Sequence, residues 1–321
     1  VTFRAAYRCL APAGAKSRLT ILIFHRVHAV PDPLFPGELD VEAFESRMLW
    51  VKRWFNVLPL DEAVVCLRQG RLPERPLAIT FDDGYADNAE LAAPVLLRLG
   101  MPATFFIATG FLDGGRMWND TVVEAVRTAR GPVLNLAPLG LGEHPMTDAR
   151  SRRAAIDRLI GALKNLLAGD RVAKADRIAA IAAGDLPTDL MMRAADVHGL
   201  HARGMTIGAH TVSHPVLNRI TDDAARSEIA VGRGRLEEIT GAPVRLFAYP
   251  HGKPVEDYRL RHVRLVRELG FDAAVTTAWG VAHSGADPFQ LPRFTPWDRQ
   301  RWRYGLRLLR NLAVPVRTSS E

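Results

Sequence analysis

The chain has 321 residues, of which 48% are hydrophobic and 24% charged, and it carries a formal net charge of +7. That is enough for one large α/β domain or two ordinary ones of soluble, globular type. No window approaches the ~18 apolar residues of a membrane-spanning helix, and Cys9 and Cys66 are too few for a disulfide framework, so no transmembrane segment and no stapled scaffold is expected.

From the N-terminus, Arg4 and Arg8 are followed by no apolar run of signal-peptide length before Lys16, which makes a cytoplasmic chain the expectation. Residues 1–18 read as an extension. Strands are then predicted at Leu19–Phe24, Leu77–Phe81, Ala103–Ala108, Met205–Ala209, Val244–Ala248 and Ala273–Thr277. Several are continuously apolar, the mark of parallel strands covered on both faces. Helices are predicted at Val41–Phe55, Leu60–Gln69, Asp87–Leu99, Asp189–Ala202, Asp222–Ile239 and Val255–Leu269, with Gly70, Gly100, Gly204, Gly241 and Gly270 at or near their ends. The alternation predicts a parallel α/β sheet, open or closed into a barrel.

The alternation breaks between about 113 and 187, where no strand is evident. Asp148–Leu167 and Arg171–Ala183 read as helices and Gly131–Pro145 as a loop, together a helical insertion rather than an independent domain. Residues 296–321 read as a basic helix and a frayed tail from Val316. Arg299, Arg301, Arg303, Arg307 and Arg310 fall within this stretch, and Trp302, Leu306, Leu309 and Ala313 form an apolar stripe expected to dock on the body. The basic face could make a peripheral contact with an anionic surface or polymer. No nucleic-acid-binding signature accompanies it, so nucleic acid is not expected as a partner.

Unusual polar residues follow strand after strand: His25 and Arg26, Asp82 and Asp83, His210, the run Tyr249-Pro250-His251, and Arg293. In parallel α/β folds reacting groups lie beyond the carboxyl ends of the strands. His210 and His214 in His210-Thr211-Val212-Ser213-His214 are four apart, so one helical turn would aim both rings the same way. In Thr80-Phe81-Asp82-Asp83-Gly84, adjacent aspartates splay apart, so one can ligate a cation while the other accepts a proton. Two imidazoles and one carboxylate leave a catalytic metal open to water.

These two runs, in this order, resemble the first and second motifs of the polysaccharide deacetylases, carbohydrate esterase family 4, and the resemblance covers roughly Leu19 to Phe294. It implies a distorted (β/α) barrel over residues 19–295 with the helical insertion inside it, and a divalent metal, zinc first, with Co2+, Ni2+, Fe2+ or Mn2+ as alternatives. It further implies an N-acetylated hexosamine glycan as substrate. Carried over by position, Asp83, His210 and His214 hold the metal and Asp82 is the general base. Two motifs depart from the commonest pattern. Ala248 stands where many members have an arginine and His251 where they have a tyrosine. The form Phe247-Ala248-Tyr249-Pro250-x-Gly252 resembles a bacterial exopolysaccharide branch. Arg293 is the candidate substitute for the missing arginine. Leu291-Pro292-Arg293 lacks the histidine that acts as general acid in many members, which leaves His251 and His25 as candidates, with His283 in a loop, a metal-bound water or protonated Asp82 as further alternatives. Tyr249, Pro250, Trp118 and Trp297 are candidate sugar-wall residues, and Leu217 is a candidate neighbour of the acetyl methyl. Competing readings are a deformylase or amidase using the same residues, and a non-catalytic glycan-binding protein of the same fold.

Overall fold

A computed structural model describes residues 3–164, 166 and 168–320. Val1, Thr2, Asn165, Glu321 and Leu167, the expected end of the Asp148–Leu167 helix, lie outside the described residues. Six parallel strands form the body of an eight-stranded sheet among the described residues: β1 Arg18–Phe24, β2 Pro76–Phe81, β3 Thr104–Ile107, β4 Thr206–Ala209, β5 Leu246–Ala248 and β6 Ala273–Val275, with the short Asn56–Val57 parallel to β2 and Ala282–His283 antiparallel to β1. Neighbours in sequence are neighbours in space, in the order β1-β2-β3-β4-β5-β6. Each fell where an apolar run predicts it.

Alternate residues of these runs point to two different cores. Leu19, Ile21, Ala78, Phe106, Leu246, Ala248, Ala273 and Val275 fill the interior together with Leu60, Ala63, Val64 and Leu67 of the helix Leu60–Arg68. Leu22, Phe24, Leu77, Ile79, Phe81, Phe105, Ile107, Ala209 and Phe247 face the outer helices. Both faces are dry, so the runs lack polar alternation. Gly208 belongs to the interior set: a Cβ there would lie 2.3 Å from the Phe106 ring, so glycine leaves room for that phenylalanine.

The barrel is closed by a segment without regular strand geometry. Leu291 exchanges backbone hydrogen bonds with β6 (Leu291 N to Ala274 O, Thr276 N to Leu291 O, both 2.9 Å). Phe294 N then donates to Ile21 O of β1 at 2.9 Å. Residues 291–294 thus bridge the last strand to the first, which gives a curled parallel sheet and surrounding helices, a distorted barrel.

Several expected boundaries shift. The predicted Asp87–Leu99 helix begins with a wide π turn, Asn88–Ala92, before the α-helix Ala93–Leu99. Pro94 has no N–H to give Glu90 O and crowds that carbonyl, and the wider turn relieves both. The predicted helices at Asp189 and Val255 start late, at Ala194 and Leu260. Met191 pairs with Tyr85 instead, and Pro254 bridges Tyr258. The stretch 131–145 is not a loop: Val133–Asn135 and Glu143–Pro145 form an antiparallel hairpin, its turn eased by Gly140 and Gly142 at positive φ. The hairpin and the helices Trp118–Thr128, Ala149–Leu163 and Ala168–Ala182 share their own core of Val122, Val126, Leu134, Ile156, Leu159 and Ile178.

The termini correct the sequence reading most. Residues Phe3–Leu10 are a helix, and the Tyr7 hydroxyl donates to Gly305 O at 2.7 Å. The C-terminal helix Arg301–Asn311 docks on the body as expected, but through Tyr304, Gly305, Leu308 and Asn311; of the expected stripe Leu309 packs on the core while Trp302 and Leu306 face outward. The tail is pinned rather than frayed as far as it is described: Ser319 N donates to Gln290 Oε1 at 2.7 Å. Among the described residues no helix is long and apolar enough to cross a membrane.

Candidate active site

The interior parity of Ala78 and Thr80 carries on to Asp82, so that carboxylate enters the barrel mouth. Asp83 turns the other way with φ +78°, in the left-handed region. Thr211, His214 and His251 share that region, at φ +65°, +54° and +59°. Each such non-glycine position costs ~1–2 kcal/mol. Four of them around one strand-end cluster mark a place where geometry is imposed against local preference.

Asp83 Oδ1 lies 3.4 Å from His210 Nε2 and 3.4 Å from His214 Nε2. It is buried and has no hydrogen-bond partner. Two nitrogen or oxygen ligands ~2.0–2.1 Å from a tetrahedral ion lie roughly 3.3 Å apart, so an orphaned carboxylate oxygen facing two ring nitrogens at this spacing fits a cation. One ligand atom from each of the three residues lies within 4.8 Å of the others. His210 Nδ1 is 2.7 Å from Ala248 O, which makes Nδ1 the donor and leaves the Nε2 lone pair for the ion.

The histidine run is not a helical turn but a loop held on two sides. Glu228, on the helix Asp222–Thr240, accepts from Val212 N at 2.9 Å, Ser213 N at 2.8 Å and Ser213 Oγ at 2.6 Å. Thr109 N and Gly110 N, just after β3, donate to the Thr211 and Val212 carbonyls. Nothing in the sequence around Glu228 announces this role.

Arg293 is fully buried and grips Asp82 with both arms, Nη1 to Oδ1 and Nη2 to Oδ2 at 2.6 Å each. Its Nη1 also donates to Thr80 Oγ1 and its Nε to Thr276 O. Burial pushes the Asp82 carboxyl up, but the Arg293 guanidinium, with His210 behind it, outweighs burial and holds it below the usual carboxylate range. Asp83 is held well below that range, its burial outweighed by the two imidazoles, His210 and His214, that face it. Burial drives the His214 imidazole down to about 3, so the ring is neutral and able to ligate near pH 7.

His25 is exposed at the end of β1, near enough for its charge to favour the carboxylates of Asp82 and Asp83. The His251 ring lies 4.8 Å from that of His214, and burial pulls its pKa down. Trp118 is half-buried on the insertion with the Arg171 guanidinium 4.9 Å over its ring. Three candidate substrate neighbours, two for the sugar and one for the acetyl methyl, are buried. Tyr249 is 1% exposed, stacked on Tyr258 at 4.0 Å with its hydroxyl on Phe289 O; its strand turns it outward, away from the barrel mouth. Pro250 is buried beside it, and Leu217 is completely buried in the outer core.

The sequence reading missed a network next to the triad. The Tyr85 hydroxyl lies 3.1 and 3.2 Å from the two Asp120 oxygens, and Arg26, paired with Asp87 at 2.8 Å, covers the Tyr85 ring at 4.6 Å. Burial raises the Asp120 carboxyl to about 7. The available signal was the position of Tyr85 directly after the acidic run.

With this geometry in hand, comparison with known proteins is decisive. A family model described as polysaccharide deacetylase matches residues 69–130 and 174–274, just over half of the chain. The chain belongs to the polysaccharide deacetylase family. The gap between the two matched stretches, 131–173, lies within the helical insertion. A Bacillus subtilis (strain 168) protein named as a polysaccharide deacetylase, YxkH, is 23% identical over 279 residues, covering 86% of this chain and 71% of that protein. A poly-beta-1,6-N-acetyl-D-glucosamine N-deacetylase of Staphylococcus aureus is 38% identical over 68 residues, only 21% of this chain and 23% of that one. Among solved structures, the Streptococcus pyogenes deacetylase PplD in complex with acetate superposes with a TM-score of 0.60 at 18% identity, covering 92% of this chain and 98% of that chain. IcaB from Ammonifex degensii gives 0.58 at 18% identity, covering 95% and 99%. Both likenesses concern the fold.

Proposed function

We propose that this deacetylase removes N-acetyl groups from a hexosamine-containing exopolysaccharide, with Asp83, His210 and His214 as metal ligands and Asp82 as general base. The observation that carries the reading is the orphaned Asp83 oxygen 3.4 Å from both imidazole nitrogens, beside a second carboxylate tied to Arg293. A divalent cation bound by the triad, zinc by preference, supplies Lewis acidity to the acetyl carbonyl and acidity to an attacking water.

This chain's residues supply the rest. Asp82, kept ionised by Arg293, accepts the proton of the attacking water. Arg293 also fixes the carboxylate plane, the task left open by Ala248 in the third motif. The main-chain N–H of His251 is a candidate donor to the oxyanion. His25, exposed at the end of the first strand, is the favoured proton donor to the leaving amine, with His251 the second candidate; the products are acetate and a free amino sugar. The test is acetate release from partly acetylated glucosamine and galactosamine oligomers, with chelator and metal add-back. Asp82→Asn should lose ~100-fold or more in kcat while keeping its metal. Release of formate from a formylated analogue in preference to acetate would instead support a deformylase.

A further inference from the structure

Two tryptophans outside the triad, Trp279 and the sugar-wall candidate Trp297, stand side by side on the surface. Trp279 is 54% and Trp297 55% exposed, with ring centroids 5.9 Å apart. Isolated exposed apolar residues are ordinary, but a contiguous pair of the largest aromatics marks a contact surface. The pair is firmly seated. Buried Phe294 meets Trp279 edge-on at 5.3 Å and Trp297 at 6.3 Å, and the Arg307 guanidinium sits 3.7 Å from the Trp297 ring centroid, itself tied to Asp298.

Its place in the chain joins it to the catalytic mouth. Trp279 follows Ala278, whose carbonyl accepts from Arg293 N at 3.0 Å, and Phe294 directly follows Arg293, the clamp on Asp82. Two residues before Trp279, Thr277 N donates to Gly252 O at 3.0 Å and Thr277 Oγ1 to His251 O at 2.7 Å. Both tryptophans also line cavities. The one under Trp279 has about 440 Å³ and polar walls from Lys253, Glu256 and Thr277. The one beside Trp297 has about 610 Å³, with Asp32, Asp40 and Arg47 among its lining residues.

Pyranose rings of an equatorially linked glycan carry C–H groups on a flat face and hydroxyls around the rim. The electron-rich face of an indole attracts such C–H groups, and polar side chains in the flanking cavities can take the rim hydroxyls. We propose that Trp279 and Trp297 form an aromatic subsite for a distal sugar of the glycan, which makes the enzyme prefer chains to single sugars. This rests on the deacetylase reading for its choice of occupant, which is argued from the continuity of the platform with the Asp82–Arg293 and His251 loops.

The metal-loaded protein and its Trp279→Ala, Trp297→Ala and double variants are to be assayed on N-acetylglucosamine dimer and hexamer. Binding of the same oligomers is read by calorimetry in the Asp82→Asn background. Each single variant should raise the hexamer KM and Kd ~10-fold and leave kcat and the dimer KM unchanged. Unchanged hexamer binding in the double variant, or an equal rise for dimer and hexamer, overturns the subsite. So does a double variant whose only change is a smaller assembly in sedimentation, or lost binding to anionic vesicles, since the pair would then serve a second copy or a lipid surface. Tryptophan-dependent hexamer binding with no acetate released by the parent protein would keep the subsite and remove the deacetylase reading.

Discussion

Asp82 and Asp83 are neighbours in sequence with opposite surroundings. Asp82 meets a guanidinium that satisfies both its oxygens; Asp83 has one oxygen that nothing in the protein satisfies. In the proposed mechanism such asymmetry divides two identical side chains between proton transfer and ligation. It also gives a pH prediction. Arg293 holds the Asp82 pKa down, so Arg293→Lys, which loses the two-armed grip, should raise it. The acid limb of kcat/KM then moves to higher pH, with kcat down at least ~10-fold. A pH–rate profile with an unmoved acid limb would show that Arg293 does not govern the base. Both acidic and histidine motifs were legible as polar runs closing apolar strands, and Asp83, His210 and His214 do meet, though on a loop rather than the expected helical turn. Arg293 was legible as a polar residue near a strand end and, through the family resemblance, as the candidate substitute for the missing arginine; its two-armed grip on Asp82 was not, because that partner lies 211 positions away. Tyr249 misled because an aromatic next to a motif says nothing about which face of its strand it occupies.

At the level of elements, the histidine loop depends on a helix that contributes no ligand. Glu228 holds Val212 and Ser213, and a Cβ at Gly232 would come 2.8 Å from Thr211 O, so the helix Asp222–Thr240 lies directly against the loop backbone. Glu228→Ala should weaken metal binding ~10–100-fold with the fold retained, measured by competition with a chromogenic chelator. Gly232→Val, which pushes the loop away, should do the same; unchanged affinity in both would show that the loop holds its own shape. Strands were legible because burial on both faces leaves continuous apolar runs. The phase of the C-terminal helix was not, because Tyr304 and Gly305 bury through a partner helix, Phe3–Leu10, which the sequence did not reveal. The 131–145 hairpin escaped for a similar reason: three-residue strands are too short for a period-2 pattern.

Across the whole molecule, the barrel is sealed by residues 291–294, and the same crossing delivers Arg293 to Asp82 and carries the chain to Trp297. Closure of the barrel and the clamp on the proposed base therefore share one irregular segment. Global stability should depend on pH through buried imidazoles. His262 is buried, its Nδ1 accepting from Arg259 N at 3.0 Å, and burial lowers its pKa to about 4. The unfolded value is ~6.5, so between these two the unfolded chain binds more protons and stability falls as pH drops from ~6.5 towards 4. Thermal melts of metal-free protein should show this decline, and His262→Gln should make it shallower. A slope unaffected by the substitution would mean that His262 is protonated without cost in the folded state.

The most direct test is equilibrium binding of zinc to the wild-type protein and to Asp83→Ala, followed by acetate release from an N-acetylated hexosamine oligomer. One ion per chain in the wild type, none in the variant, and acetate release that vanishes with chelator and returns with metal is the predicted result. Undiminished acetate release from Asp83→Ala, or from fully chelated wild-type protein, would contradict it.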